Sequence, residues 1–189
     1  MKEERTPHNS LLWKIRIPCK IKIFLWYIQK GVLLTKDNLV KRKWKGDTAC
    51  CFCSCNEDIQ HLFFECHLAK SIWNTISIAF NVRIPVSFAD LFGDWLRCWT
   101  KNNRRLVCVG LSAMCWAIWL SRNDIVFKKT TPNSFLQVLF RGTYWTRTWA
   151  KLSKEEEMNN LKQQCSKLEI AVMEIFNKFG WKNRNRLQD

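Results

Sequence analysis

The chain has 189 residues, 47% of them hydrophobic and only six Gly and four Pro, so it can bury a core and is not a disordered tail. Its ten cysteines could suit a secreted disulfide protein, but the first ten residues, MKEERTPHNS, contain no apolar signal core. We therefore expect an intracellular protein in a reducing compartment, with the nucleus among its candidate locations. The net charge of +15 favours an acidic partner such as nucleic acid.

The first part of the chain predicts short elements. Residues 13–17 alternate apolar and basic side chains, which favours a short strand or an extended arm. Pro18 and Gly31 then bracket a helix, because Pro suits the start of a helix and Gly the residue after its end. Thr35 is a good N-cap for a short helix that reaches about Arg42.

The next segment, CCFCSCNEDIQHLFFEC, has the spacing of a zinc site. Three thiolates and one imidazole are a common closed ligand set for structural zinc, and a two-residue gap lets both thiolates of a tight turn point at one ion. The predicted site holds one Zn²⁺ through Cys50, Cys53, His61 and Cys66. Small cysteines that pack in a core are the alternative, but so dense a run of thiols beside a His is not typical of one.

Two further thiols leave the ligand register open. Cys51 would pair with Cys53 or Cys55 across gaps that are too short or too long for the usual two-cysteine turn. Cys50 with Cys53 is therefore the preferred pair among these four.

The spacing of the second ligand pair predicts its local structure. His61 and Cys66 are five residues apart, roughly 140° around an α-helix, so they cannot both lie mid-helix and face one ion. We expect His61 late in a short helix, Cys66 in the turn after it and a second helix from about Leu68. His67 is then a solvated turn residue.

The rest of the chain predicts longer helices, near 87–99, over 103–127 and from about 135 to 152. The apolar run at 106–120 is shorter than the roughly 20 residues that cross a bilayer, so we expect a buried helix and no membrane partner. The remaining cysteines lie among apolar residues and are predicted to be buried thiols: Cys19, Cys98, Cys108, Cys115 and Cys165.

The last helix carries apolar residues at alternating three- and four-residue steps, typical of a coiled-coil seam. The seam consists of Met158, Leu161, Cys165, Leu168, Val172, Ile175 and Phe179. It is short, and Ile170, Met173 and Phe176 lie off it, so packing within a monomer is favoured over a coiled-coil dimer. The predicted fold is mostly α, with a small Cys3His zinc-binding helical unit in domain 1–80 and a bundle of longer helices in domain 81–189.

The residues around the cysteines resemble one known family. The carrying motifs are WKIRIP at 13–18, KIKIFLW at 20–26, GVLLTKDNL at 31–39 and HLFFEC at 61–66, followed by Ile72-Trp73. In this order they resemble the zinc-binding domain found downstream of the reverse transcriptase in plant non-LTR (LINE-type) retrotransposons. The resemblance runs from about Leu12 to Trp73, and residues 116–127 resemble the region that follows this domain.

This resemblance implies the same zinc ligands, Cys50, Cys53, His61 and Cys66, and a retrotransposon origin. The sequence departs from the family at His67, where the family often has proline. That departure weakens the signal for a turn and leaves the ligand assignment in place.

Charge is concentrated in two parts of the chain. Residues 1–80 have 13 Lys and Arg against 7 Asp and Glu, and 81–153 have 11 against 3. Lys and Arg clusters bind phosphates by releasing counterions, and an aromatic ring among them can stack on bases. The predicted nucleic-acid-binding residues are Lys41, Arg42, Lys43, Trp44 and Lys45, extended by Lys14, Arg16, Lys20 and Lys22. RNA and DNA remain equal candidates, and a solvated basic face is the alternative.

The sequence gives no support for catalysis. A polymerase needs a carboxylate pair for its two metal ions, and the Phe88-Ala89-Asp90-Leu91 segment has one Asp. We expect a non-catalytic zinc module derived from a retrotransposon polyprotein, which contacts nucleic acid. The alternatives are a zinc-stabilised helical scaffold for protein partners and a transposon relic without function.

Overall fold

A computed structural model describes residues 12–128 and 134–179, and these are mostly helical, as predicted. The helices are α1 Cys19–Gln29, α2 Lys36–Lys41, a π-helical turn His61–Glu65, α3 His67–Phe80, α4 Phe88–Leu91, a 3-10 turn Asp94–Cys98, α5 Arg104–Lys128, α6 Phe135–Ala150 and α7 Glu155–Phe179. The N-terminal stretch that suggested a reducing compartment lies outside the described residues.

The helix between Pro18 and Gly31 is confirmed as α1. Gly31 has a φ of +70°, and its N–H bonds to the carbonyl of Ile28 while the next N–H bonds to Tyr27, both at 3.0 Å. This closing turn needs a residue that tolerates the left-handed region, which is the reason for glycine here. The chain then turns towards α2.

The strand or extended arm at 13–17 was a wrong prediction. Residues 12–14 are helical and 15–17 form a bend. Leu12, Ile15 and Ile17 are buried in the helical core, so the apolar alternation reflects insertion into that core and not pairing with a neighbouring strand.

A single helix near 87–99 was also wrong, because the segment forms α4 and the 3-10 turn with Gly93 between them. Gly93 has a ψ of −106°, which is outside the helical region and ends α4. Ser87 caps α4 by accepting a hydrogen bond from the Asp90 N–H at 3.1 Å.

Helix α5 confirms the predicted buried helix and lies at the centre of the fold. Its length and composition would suit a membrane span, but most of its apolar stretch is buried inside the protein. It packs against α6, and α6 packs against α7. A Cβ at Gly142 of α6 would lie 2.2 Å from the Met114 sulfur, so glycine is what allows these two helices to approach.

The seam of α7 packs within the chain, against α3 and α6. Leu161, Cys165, Leu168 and Val172 are buried, whereas Ile170 is 61% exposed. The side chain of Phe179 lies outside the described residues. The seam is thus a face of the core, while the monomeric state itself stays a prediction.

The scattered thiols divide into two groups. Cys108, Cys115 and Cys165 are buried, as predicted, and burial raises the pKa of the first two to about 12 and of the third to about 11. Cys19 and Cys98 are exposed, so the prediction was wrong for these two. Each lies at one end of a short element, away from its buried face.

The buried apolar residues of the N-terminal and C-terminal parts form one continuous cluster. Phe24 of α1 joins them, because its ring centroid lies 5.0 Å from that of Trp116 and 6.1 Å from that of Trp119 on α5. The predicted domain boundary between residues 80 and 81 stays a prediction.

Candidate metal centre

A tight hairpin carries the first two candidate ligands. Ala49 and Asn56 form an antiparallel bridge, and the Cys50 N–H bonds to the carbonyl of Cys55 at 2.7 Å. Within the turn, the Phe52 N–H points at the Cys50 sulfur at 3.5 Å. Such a turn brings the Cys50 and Cys53 sulfurs to one side, and donation to sulfur favours the thiolate that binds metal.

The third ligand, His61, begins a wide helical turn that sequence reasoning missed, and Cys66 lies directly after that turn, as predicted. His61–Glu65 is π-helical, and the Cys66 N–H bonds to the His61 carbonyl at 2.7 Å. An i to i+5 hydrogen bond places residues five apart one above the other. His61 therefore begins the turn instead of ending a short helix, and Cys66 shares its face. The second helix, α3, follows at once from His67, whose side chain is exposed as expected.

These elements bring the four predicted ligands together. The Cys50, Cys53, His61 and Cys66 ligand atoms lie within 4.8 Å of one another. Cys66 Sγ is 3.9 Å from the sulfurs of both Cys50 and Cys53, and Cys53 Sγ is 3.1 Å from His61 Nε2. Tetrahedral zinc with Zn–S bonds of about 2.3 Å separates its sulfurs by roughly 3.8 Å, so the donor set fits one zinc ion.

Among the alternative cysteine ligands, this geometry favours Cys50 and Cys53. Cys51 and Cys55 are outside the group of four, and Cys55 is exposed. Cys51 instead donates a hydrogen bond to the Cys50 sulfur, which together with a bond from Cys66 holds the pKa of Cys50 far below its usual value. The pKa of Cys66 is raised by its bond to Cys50 and by burial. Zinc binding needs deprotonated thiols, so it releases thiol protons from this cluster.

Helix α2 anchors the hairpin from one side. The Lys36 ammonium is nearly buried and donates to the carbonyl of Ala49. Thr35 precedes the helix as predicted, but its side chain makes no capping bond. The Glu57 carboxylate takes that role, because it accepts the Lys36 N–H at 3.0 Å.

A buried ion pair anchors the hairpin from the other side. Arg122 of α5 donates to Glu57 at 2.8 Å, and the side chains are 2% and 0% exposed. The Arg122 guanidinium also lies 5.1 Å from the Trp119 ring centroid. Glu57 therefore ties α2, the hairpin and α5 together. The sequence signals of this pair are a Glu in a polar loop and an Arg in an apolar helix. They lie 65 residues apart.

The basic run forms the closing turn of α2. Lys43 has a φ of +66°, its N–H bonds to Val40 at 2.8 Å, and the Trp44 N–H bonds to Leu39 at 3.1 Å. This is a Schellman motif with lysine where glycine is usual. Arg42, Lys43 and Lys45 are all exposed.

Two other members of the run are partly engaged. Lys41 is exposed but pairs with Asp37 at 2.9 Å. The Trp44 ring covers Gly46, since a Cβ there would lie 1.8 Å from the ring, and the residue stays 41% exposed.

The basic residues near α1 are also partly engaged. Arg16 pairs with Glu157 at 3.4 Å, and Lys22 donates to the Trp13 carbonyl at 2.9 Å. Lys14 and Lys20 are exposed. The cations of the predicted surface that are exposed and have no ion pair with a described residue are therefore Lys14, Lys20, Arg42, Lys43 and Lys45.

Comparison with known proteins agrees with this geometry. Residues 1–73 match the family described as zinc-binding in reverse transcriptase. Over these residues the chain is similar to the zinc-binding domain of reverse transcriptases. The predicted resemblance and the zinc cofactor are thereby confirmed.

One curated relative aligns with a stretch longer than the zinc-binding segment. The chain is 29% identical over 88 residues to a putative ribonuclease H protein of Arabidopsis thaliana. The alignment covers 46% of this chain and 14% of that relative, so the ribonuclease H in its name describes a much longer protein. No solved structure matches the chain.

Proposed function

We propose that this chain is a non-catalytic, zinc-stabilised module of retrotransposon origin that binds nucleic acid without strong sequence preference. The observation that carries the proposal is the Schellman turn at 42–45, where Arg42, Lys43 and Lys45 are exposed beside the half-exposed Trp44. Clustered cations bind phosphates, and an aromatic ring among them stacks on unpaired bases.

Zinc contributes to this surface indirectly, by holding its base. The turn follows α2, and α2 is joined to the metal-binding hairpin through Lys36 and Glu57. A rigid base reduces the entropy lost when the cations meet phosphates. The four-ligand site also favours a structural role for zinc, because four protein ligands leave no position for a reactive water.

The proposed absence of catalysis rests on the distribution of acidic groups as well. Metal-dependent nuclease chemistry uses clustered carboxylates. Within 12–128 and 134–179, the Cys3His set is the one group of His, Cys, Asp or Glu with the geometry to hold an ion. The family match supports a retrotransposon origin, and ten thiols without a disulfide among those described are in keeping with a reducing compartment, the nucleus included.

The experiment is a titration of zinc-loaded protein against single-stranded and duplex RNA and DNA at several salt concentrations. The test variant changes Arg42, Lys43 and Lys45 to Gln together, and leaves the paired Lys41 in place. Losing three phosphate contacts should lower the salt slope on single strands by about 2 and weaken binding to all sequences alike. A matched control changes Lys101, Arg105 and Lys151, which are exposed on the helical part.

A second arm tests the aromatic ring. Trp44→Ala should cost about 1 to 3 kcal/mol on single strands and much less on duplex, because only unpaired bases present a free face. Trp13→Ala removes another exposed indole and is the control. If the wild type does not bind at low salt, or if both triple variants weaken binding equally, the protein-scaffold function replaces this one.

A further inference from the structure

A cavity of about 130 Å³ lies between the long helices, remote from the residues that bind metal. Its walls come from α3, the 3-10 turn, α5, α6 and α7, and most of the lining is apolar: Ile76, Phe80, Trp95, Leu106, Leu111 and Met114 are examples. An engineered apolar cavity of about 150 Å³ binds benzene. The space is slightly smaller than that cavity and close to the size of one small ring.

One polar donor among the lining residues has no partner. Trp99 Nε1 is buried and makes no hydrogen bond within the part of the chain that the structure describes. Two fully buried indoles differ, because Trp73 donates to the Phe63 carbonyl at 2.7 Å and Trp95 donates to the carbonyl of Arg83. A buried N–H without an acceptor is costly, so an acceptor supplied from outside the chain would be favoured here.

A glycine contributes part of the space. Gly110 lies in the middle of α5 and lines the cavity, and a Cβ built on it meets nothing within 4 Å. Glycine inside a helix is unfavourable relative to alanine. At Gly142 the same absence of a side chain allows close helix packing, but at Gly110 it leaves room.

The cavity reaches solvent beside three amide side chains. Asn103 is exposed, and Asn160 and Gln164 are half-buried along the lining. Lys and Arg are absent from the lining residues, and so are Asp and Glu. A charged molecule would therefore lose its hydration there without an ionic partner.

We propose that this cavity binds a small neutral molecule about the size of a six-membered ring, mostly apolar, with one hydrogen-bond acceptor such as a ketone or ether oxygen. The apolar walls bury the ring, and Trp99 Nε1 donates to the acceptor. This site shares no residue with the zinc centre or with the basic turn.

The test uses two probes of nearly the same shape, cyclohexanone and methylenecyclohexane, which differ in having or lacking the acceptor. Both are titrated into the zinc-loaded full chain by calorimetry, with the shift in thermal unfolding as a second readout. In the wild type we expect both to bind. In Trp99→Phe, cyclohexanone should bind about two- to tenfold more weakly, the usual net value of one hydrogen bond, and methylenecyclohexane should bind as before.

Two further variants locate the site. Gly110→Leu should abolish binding of both probes because its side chain occupies the space. Gly110→Ala, which also favours the helix, should raise the unfolding temperature and weaken both probes, and it serves where the leucine variant does not fold. Trp13→Phe makes the same chemical change at an exposed indole and should alter neither affinity.

Three results would overturn the proposal. Neither probe binds the wild type at its solubility limit; or both Gly110 variants bind the probes as the wild type does; or Trp99→Phe weakens the two probes equally. The last result would remove the acceptor from the ligand class and with it the role of Trp99.

Discussion

The zinc-binding hairpin and the α5–α7 bundle are stabilised in opposite ways. The hairpin is held by its metal ligands, by Lys36 and by the Glu57–Arg122 pair, so removal of one polar group affects all of it. The bundle is held by many buried apolar side chains, each of which contributes a small share. The metal ligands appear in the sequence as a spaced motif, whereas stability from apolar packing appears only as periodicity.

Removal of the metal should have the largest effect, and it should separate the two regions. Structural zinc contributes of order 10 kcal/mol in isolated finger peptides. Cys53→Ser should therefore release zinc and unfold the hairpin, while α5 and α6 keep their protected amides. Metal analysis and hydrogen exchange measure this. Cys55→Ser, a change of the same kind at an exposed thiol outside the ligand group, should retain one zinc per chain.

Acid should reproduce this separation without mutation. Protons compete with zinc for the three thiolates and the imidazole, so occupancy should fall as the pH falls. The hairpin should lose its order together with the metal. Measurements of metal release and of hydrogen exchange at stepwise lower pH test this. Loss of helix in α5–α7 before metal release would contradict the comparison.

The Glu57–Arg122 pair joins the two regions and should have the next largest effect. Arg122→Met leaves a buried carboxylate unpaired, which costs about 3 to 5 kcal/mol. Adding Glu57→Gln removes that charge, retains the acceptor for α2 and should restore part of the loss. Denaturant unfolding measures both. Arg141→Met breaks a partly exposed pair with Asp124 and should cost about 1 kcal/mol or less.

Truncation of the α7 seam should affect the bundle and leave the metal bound. Leu168 is buried, so Leu168→Ala should cost about 2 to 5 kcal/mol. Ile170→Ala, on the exposed side of the same helix, should stay within about 0.5 kcal/mol. Sedimentation should find a monomer for the wild type and both variants. A wild-type dimer that Leu168→Ala dissociates would show that the seam pairs between chains.

The closing turn of α2 should show the smallest effect, and in the stabilising direction. Lys43 adopts the left-handed conformation at φ +66°, so Lys43→Gly should relieve strain and add roughly 0.5 to 1 kcal/mol. Gly31→Ala makes the reverse change in the equivalent turn of α1, at φ +70°, and should destabilise by a similar amount. Thermal unfolding compares them, and equal destabilisation by both would contradict this account.

The sequence predicted what local spacing controls. The ligands, the short helix after Thr35 and the buried α5 all follow from residues close together in the chain. The Glu57–Arg122 contact could not be predicted, because it joins a loop to a helix 65 residues later and depends on how the whole core packs. The exposure of the Cys98 side chain could not be predicted either, because it depends on the helix break at Gly93.

The wide turn at His61 shows where a sound local argument fails. A regular α-helix would place Cys66 about 140° from His61, and on that basis the two ligands were assigned to different elements. The backbone instead widens by one residue per hydrogen-bonded turn. Metal binding supplies the free energy for a rare conformation that propensity alone does not favour.

Because of that wide turn, the metal also sets the orientation of α3. Cys66 is both the last ligand and the residue from which α3 starts, so fixing its sulfur sets the rotation with which α3 begins. A slip of one residue would turn a helix by about 100°. Ile72 would then leave the core, and Ile76 and Phe80 would leave the wall of the cavity. Zinc thus fixes the rotation of α3, whose other end lines the cavity between the long helices.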